Sequence, residues 1–525
     1  MERAVERSGF FEQLAAFEAK PTTTDIVWPV ALVAAWSFDF LFWDKAPGIS
    51  FPIFVLIILG CGYVVARSTS ARISSSAKWL LLPVALFSLG STLRAEPLTM
   101  VLDYLVTLAL LGLAADTFAG GRWLRYRLPD YIVAFLHVGV AGIVRGGIDI
   151  RERRAKRTER AKRVSRYAPV VRGILLSLPL LVAFGLLLAS ADLVFSRFLT
   201  RPFPSLDSGA IGEYAFRVMY ILVLAYGLTG LFLHAVRPSE SAQSPPMARA
   251  EGGRGIEMVE GSIVLGSVNG LFALFVGFQF RYFFAGSGAI SDLDMTYAEY
   301  ARRGFGELVF VALLTLILLV VLSLVVRRVS HRQHKVFSLL SSGTVVLTGI
   351  ILVSAFQRLL LYEDAYGFTR LRTYSHVFMV WLGLTLIAVL VLQWKNSLRS
   401  VTLVLVLAGL GYAASLNVIG VDAFIARSNI DRAVRGAELD VFYLNQLSSD
   451  AVPTLLARVD DLSPKDRRLL SNVLVCKALA ERNLQRPWQS THLSNERSRA
   501  ALLTFYERLA ESRRAAPTCG PVTPN

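Results

Sequence analysis

Eight stretches of this chain, at 46–66, 173–191, 218–236, 261–280, 308–326, 336–357, 373–394 and 400–421, run for 19 to 22 residues without an Asp, Glu, Lys or Arg. About 20 helical residues cross a hydrocarbon core of ~30 Å, and an α-helix pairs its backbone groups within the segment. Such blocks are the signature of a polytopic membrane protein. Three weaker segments join them: 26–43 with Asp39 inside it, 77–93, and 97–118 with Asp103 and Asp116. The expected fold is all-α, a polytopic integral membrane protein of about 11 transmembrane helices. Pro83, Pro179, Gly270 and Gly383 fall inside the runs, as membrane helices tolerate. Only 18% of the 525 residues are charged, against roughly 25% in an ordinary soluble domain.

Eleven spans sort the connecting loops into two alternating sets. The set 67–78, 119–172, 237–258, 327–335 and 395–399 carries 26 Lys and Arg, more than twice the other set through residue 372. Positive loops mark the cytoplasmic side. Residues 1–25 are therefore expected in the cytoplasm, and 422–525 outside it as a small extracytoplasmic helical domain and tail. Between them come four spans over 26–118, an interfacial helix with a basic cytoplasmic segment over 119–172, and seven spans over 173–421. The first 25 residues hold Glu2, Glu6, Glu12, Glu18 and Asp25, against the basic-then-apolar pattern of a cleaved leader. The first span is expected to serve as the insertion signal, and the destination is the cell inner (plasma) membrane.

The densest basic run, RERRAKRTERAKRVSR at 151–166, holds nine Lys and Arg. It reads as an orientation determinant, with contact to anionic lipid of the bilayer as the functional alternative. No aromatic residue is interleaved for base stacking, which argues against nucleic acid. Beyond 422, SSDAVPTLLARV (448–459), SPKDRRLLSNVLVCKALAERNL (463–484) and SNERSRAALLTFYERLAES (494–512) show capping residues and helical apolar spacing. Of the three cysteines, Cys61 lies in a span, while Cys476 and Cys519 share the C-terminal region and can pair.

Ionisable residues gather near one boundary: Asp39, Asp103, Asp192, Arg217, Arg281, Glu307, Arg358 and His376. Such groups are costly in a membrane and seek partners or a water-filled cavity. The two richest loops on that side are 294–307 and 356–376. They contribute Tyr297, Glu299, Tyr300, Arg302, Arg303, Glu307, Arg358, Tyr362, Glu363, Asp364, Tyr366, Arg370, Arg372 and His376 as a candidate ligand site. Arginines beside tyrosines suit a phosphate or carboxylate, so an anionic small molecule or an envelope protein is the expected occupant. The two loops are expected to meet, their carboxylates neutralising Arg302, Arg303, Arg358, Arg370 and Arg372. The bland alternative is a set of helix-locking ion pairs.

No P-loop, HExxH or CxxC occurs, and HRQH (331–334) sits among basic residues that would repel a metal. No cofactor, metal or catalytic residue is expected. The leading expectation is a non-enzymatic ligand- or partner-binding envelope component, transporter-like or sensory. A membrane-embedded transferase on a lipid-linked or envelope substrate is the second, with Glu299, Glu363 or Asp364 as base and Arg302, Arg303, Arg370 and Arg372 on phosphate. A structural scaffold is the third.

YAEYARRGFGEL (297–308), LLLYEDAYGFTRLRTYSHVFMVWLG (359–383), ARSNIDRA (426–433) and LDVFYLNQLSSDAVPTL (439–455) resemble the bacterial membrane proteins grouped as domain of unknown function 4173. PWQSTHLSNERSRAALL (487–503) is similar but departs from that family's more tryptophan-rich form. The resemblance implies a bacterial inner-membrane location and no particular activity.

Overall fold

A left-handed glycine and a proline-led cap show how the bundle's turns are written into the chain. Gly367, at φ +83°, ends one long helix, and Pro97 opens another behind the N-cap Glu96. The computed structural model describes residues 25–71, 73–120, 123–160, 208–237, 256–284, 305–397 and 400–512. Among them are α1 (Val27–Phe42), α2 (Ser50–Ser68), α3 (Ser75–Leu93), α4 (Pro97–Thr117), α5 (Leu128–Arg160) and α6 (Ser208–Ala235). Then follow α7 (Met258–Phe284), α8 (Phe305–Val325), α9 (His331–Tyr366), α10 (Arg370–Trp394) and α11 (Val401–Ile419). A C-terminal unit holds α12 (Val421–Val434), α13 (Val441–Gln446), α14 (Val452–Arg458), α15 (Pro464–Asn483) and α16 (Leu493–Ser512). No strand occurs among the described residues.

The protein is an all-α polytopic membrane protein. Ten described helices, α2 to α11, contain a window long and apolar enough to cross a membrane, and α1 is apolar but only 16 residues long. The expected span at 173–191 lies outside the described residues. Leu56, Trp79, Ile143 and Leu324 are each more than 60% exposed. Apolar side chains left outside a packed bundle are the surface that a bilayer covers.

Two packed groups make the bundle. Val27, Ala31 and Ala34 of α1 pack with Ala225, Leu228 and Phe232 of α6. Leu319, Phe337, Ile351, Met379 and Leu386 form the centre of α7–α10. Helix α11 joins the groups, since Ala413 shares a core with Leu80, Val84, Leu110 and Leu113 of α3 and α4. The C-terminal unit has its own core of Ile425, Ile430, Leu444, Leu455, Leu470 and Leu474, into which Leu416 of α11 also packs. It caps the bundle at one face, formed by the ends of α1, α3, α9 and α11 and the starts of α2, α4 and α10.

One segment differs from the sequence reading, and a second bears comparison with it. The span 336–357 belongs to a 36-residue helix, roughly 54 Å long at 1.5 Å per residue. Most of the expected loop 356–376 is therefore helix, with only Gly367–Thr369 turning, because neither Gly nor Pro interrupts QRLLLYEDAY. The helix α5, read as lying along an interface, contains a window (130–153) long and apolar enough to cross. Its contacts nevertheless sit at the uncapped ends of its neighbours. Tyr126, just before α5, bonds Asp116 near the end of α4 at 2.9 Å, and Asp149 accepts from Trp28 at the start of α1 at 2.8 Å.

Candidate functional site

The seam between bundle and C-terminal unit gathers several buried polar contacts. At its centre the last turn of α9 leaves carbonyls without intrahelical partners. Arg432 of α12 takes them, donating Nη2 to Asp364 O at 2.7 Å and to Ala365 O at 3.2 Å. Asn429 reads the next residue in both directions: Phe368 N–H donates to its Oδ1 at 2.8 Å, and its Nδ2 donates to Phe368 O at 3.0 Å. A Cβ on Gly367 would come within 2.8 Å of Asn429 Oδ1 and 2.9 Å of Arg432 Nη1. Glycine is required there by φ, and a Cβ would also displace those two side-chain ends. Arg372 donates to Gly367 O and lies 3.9 Å over the Tyr362 ring, a cation–π contact.

Beside this turn, Arg370 forks onto Asp422, Nε to Oδ1 at 2.8 Å and Nη2 to Oδ2 at 2.6 Å. Asp422 is fully buried and also accepts from Ser448 N–H at 2.6 Å. Lys477 of α15 stands nearby, where burial pushes its amine below the usual lysine value and the Asp422 charge opposes that.

A third contact binds α4. Asp450 accepts the backbone N–H groups of Ala95 and Glu96 at 3.0 and 3.1 Å. Glu96, 1% exposed, caps α4 through Leu98 and Thr99 and accepts from Tyr374 of α10. A fourth ties α2 and α3. Ile49 N–H donates to Thr491 O at 2.9 Å, and His492 Nδ1 lies 3.1 Å from Ser91 O. Burial is the largest influence on the His492 imidazole and holds it below the usual histidine value, against hydrogen bonds to Ser91 and Pro47.

Two carboxylates lie inside the bundle close to this seam. Glu363 is fully buried, with His376 Nδ1 3.4 Å from its Oε1 and no hydrogen-bond partner on either oxygen. Asp103 is fully buried too, accepting from Asn417 Nδ2 at 2.7 Å while its Oδ2 has no hydrogen-bond partner. Asp39 is partnered, by Arg217 at 2.6 and 2.9 Å and by Tyr220.

The described residues hold part of the expected site. Tyr297, Glu299, Tyr300, Arg302 and Arg303 lie outside the described residues, so the meeting of the two loops does too; Asp192 and the side chain of Arg281 also lie outside them. Glu307 stands exposed in the first turn of α8, and Arg358 is half-buried on α9. Tyr362 and Tyr366 pack edge to face at 5.1 Å, and Asp364 is exposed. The carboxylate that neutralises Arg370 is Asp422 of the C-terminal unit, and none of the four expected. The physical reason is reach: α12 follows α11 directly at Gly420, which lays Asp422 beside the start of α10. Asp422, Asn429, Arg432 and Asp450 were missed as site residues, although all four fall in or beside the blocks 426–433 and 439–455. Among the described residues, no cluster of three or more His, Cys, Asp and Glu is arranged to hold a metal. One groove of about 420 Å³, lined by Met258, Val259, Ile263 and Val336 among others, lies at the uncapped ends of α7 and α9, away from this seam.

A family model described as a domain of unknown function (DUF4153) matches residues 81–457. This replaces the resemblance to domain of unknown function 4173: both are families of unknown function, but a different one matches. No curated protein and no solved structure matches the chain.

Proposed function

The chain belongs to the DUF4153 family, whose match runs from α3 into the C-terminal unit, and on that premise we propose a non-enzymatic sensory component of a bacterial inner membrane, transporter-like in build. In this reading the N-terminus is cytoplasmic and the capped face is extracytoplasmic. The C-terminal unit meets an anionic small molecule or an envelope protein there and passes the event to α9, α10 and α4. The basic run 151–166 faces anionic lipid on the inner side. Loop charge supports the orientation, and so does Cys476, which is disulfide-bonded and so suits an oxidising compartment.

The observation that carries this reading is the chemistry of the seam. A loose cap needs only apolar contact, whereas here Asp422, Asp450, Asn429 and Arg432, all buried below 10% exposure, address specific backbone groups and one arginine at three separate helix ends. Movement of the unit therefore pulls on helix termini directly. The transferase alternative asks Arg370 and Arg372 to hold phosphate, but Arg370 is engaged by Asp422 and Arg372 by Gly367 and Tyr362.

Complementation tests the proposal. A deletion strain is given the full chain, a chain ending after residue 420, or Arg370→Asp with and without Asp422→Arg. The truncated chain and the single variant should fail at normal abundance, and the charge-swapped double variant should recover function in part. Full complementation by the truncated chain would remove the C-terminal unit from the function.

A further inference from the structure

We propose that Glu363 and His376 form a proton-binding site at the capped end of α9 and α10. The site goes beyond the sensory reading and does not depend on it. Glu363 stands three residues before the end of α9, and His376 in the second turn of α10. Their facing atoms, Oε1 and Nδ1, are 3.4 Å apart, with side chains 1% and 15% exposed. The rest of the site is unsatisfied: neither Glu363 oxygen nor His376 Nε2 has a hydrogen-bond partner. Phe356 closes one side of the imidazole, its ring 4.4 Å from the His376 ring in an edge-on arrangement.

A carboxylate removed from water with no donor on either oxygen is several kcal/mol less favourable than one that is paired or neutral. One proton on the Glu363 carboxyl, facing His376 Nδ1, removes that cost. Among the described residues, the other charged side chains at this end include Arg358 and Asp364 on α9, Arg370 and Arg372 on α10, Glu307 on α8, and Asp422 and Arg432 on α12. None of them hydrogen-bonds the Glu363 carboxylate. Arg372 and Arg432 are instead turned to the backbone at Gly367, Asp364 and Ala365. The ligand is therefore a proton: it enters from water at the capped face, forms an O–H bond on the Glu363 carboxyl, and returns to water on release. Position gives the event a consequence. Glu363 O accepts from Gly367 N–H at 2.8 Å, and the next two carbonyls are the ones that Arg432 holds.

Difference infrared spectroscopy of the purified full chain in lipid nanodiscs, between about pH 5 and about pH 8, reads the site directly. The protein should show a protonated-carboxyl stretch that Glu363→Gln removes and His376→Leu shifts in frequency. Proton release between the two pH values should fall by about one proton per chain in Glu363→Gln. A spectrum and a proton count unchanged in Glu363→Gln would overturn the proposal. Should that variant fail to fold, Glu363→Asp is read instead, with a shifted carboxyl band supporting the site and an unshifted one overturning it. The complementation result above bears on the C-terminal unit alone, so either idea can fail without the other.

Discussion

Arg370 and Asp422 meet as a two-pronged ion pair, 2.8 and 2.6 Å, across the boundary between a membrane helix and the C-terminal unit. Asp422 has no exposure, whereas the Arg370 side chain keeps 27%. The two partners are therefore unequal under mutation. Arg370→Leu strands a buried carboxylate, at a cost of about 3 kcal/mol, while Asp422→Asn leaves a partly hydrated arginine and costs less. Arg370→Lys should not restore the wild-type value, because an ammonium cannot reproduce the fork. Protease release of the C-terminal unit from protein in detergent ranks the three variants.

Gly48 and Gly367 should be intolerant of alanine for different reasons. A Cβ at Gly48 would fall 2.6–2.8 Å from backbone atoms of Ser490 and Thr491, which have no rotamer by which to yield. At Gly367 the strain of φ +83° adds about 1–2 kcal/mol to a steric conflict with two side chains. Gly409→Ala, with nothing within 4 Å, is the control and should be neutral or slightly stabilising. Thermal unfolding of the three variants provides the comparison, and equal Tm values would contradict it.

Acid should loosen the contact around His492. Its imidazole is held below the usual value, with burial the largest cause, so the docked state binds fewer protons than the undocked one. The sign follows: the contribution is complete above the ordinary histidine value of about 6.5 and is lost as pH falls through the depressed value. His492→Asn should flatten protease release between about pH 7 and about pH 5. A wild-type unit held more tightly at the lower pH would contradict this assignment.

Orientation and thiol state should agree. A reporter active only outside the cytoplasm should be active when fused after residue 440 and silent at residue 160. Denatured but unreduced protein should label one thiol, Cys61, which is free. Reduction should expose all three cysteines. Opposite reporter activities would invert the topology.

The sequence by itself determined the class of this protein, because a 20-residue apolar run has few other fates and a charged loop crosses a membrane only at high cost. It also placed helices at 452–458, 464–483 and 493–512, where capping and apolar period are local properties. It drew attention to Glu363, Arg370, Arg372 and His376, since ionisable residues beside apolar runs are visible without a fold. What it left undecided was who meets whom. The partner of Arg370 lies 52 residues away, and the contact between Tyr374 and Glu96 spans 278. No period or spacing encodes such pairs, which exist only because α10, α4 and α12 start at the same face. The long α9 had the same ambiguity: polar residues after an apolar run read as a loop, yet a helix persists until a glycine with left-handed backbone stops it. That glycine is legible in the chain, but the arginine and asparagine that close around it were brought there by the tertiary structure.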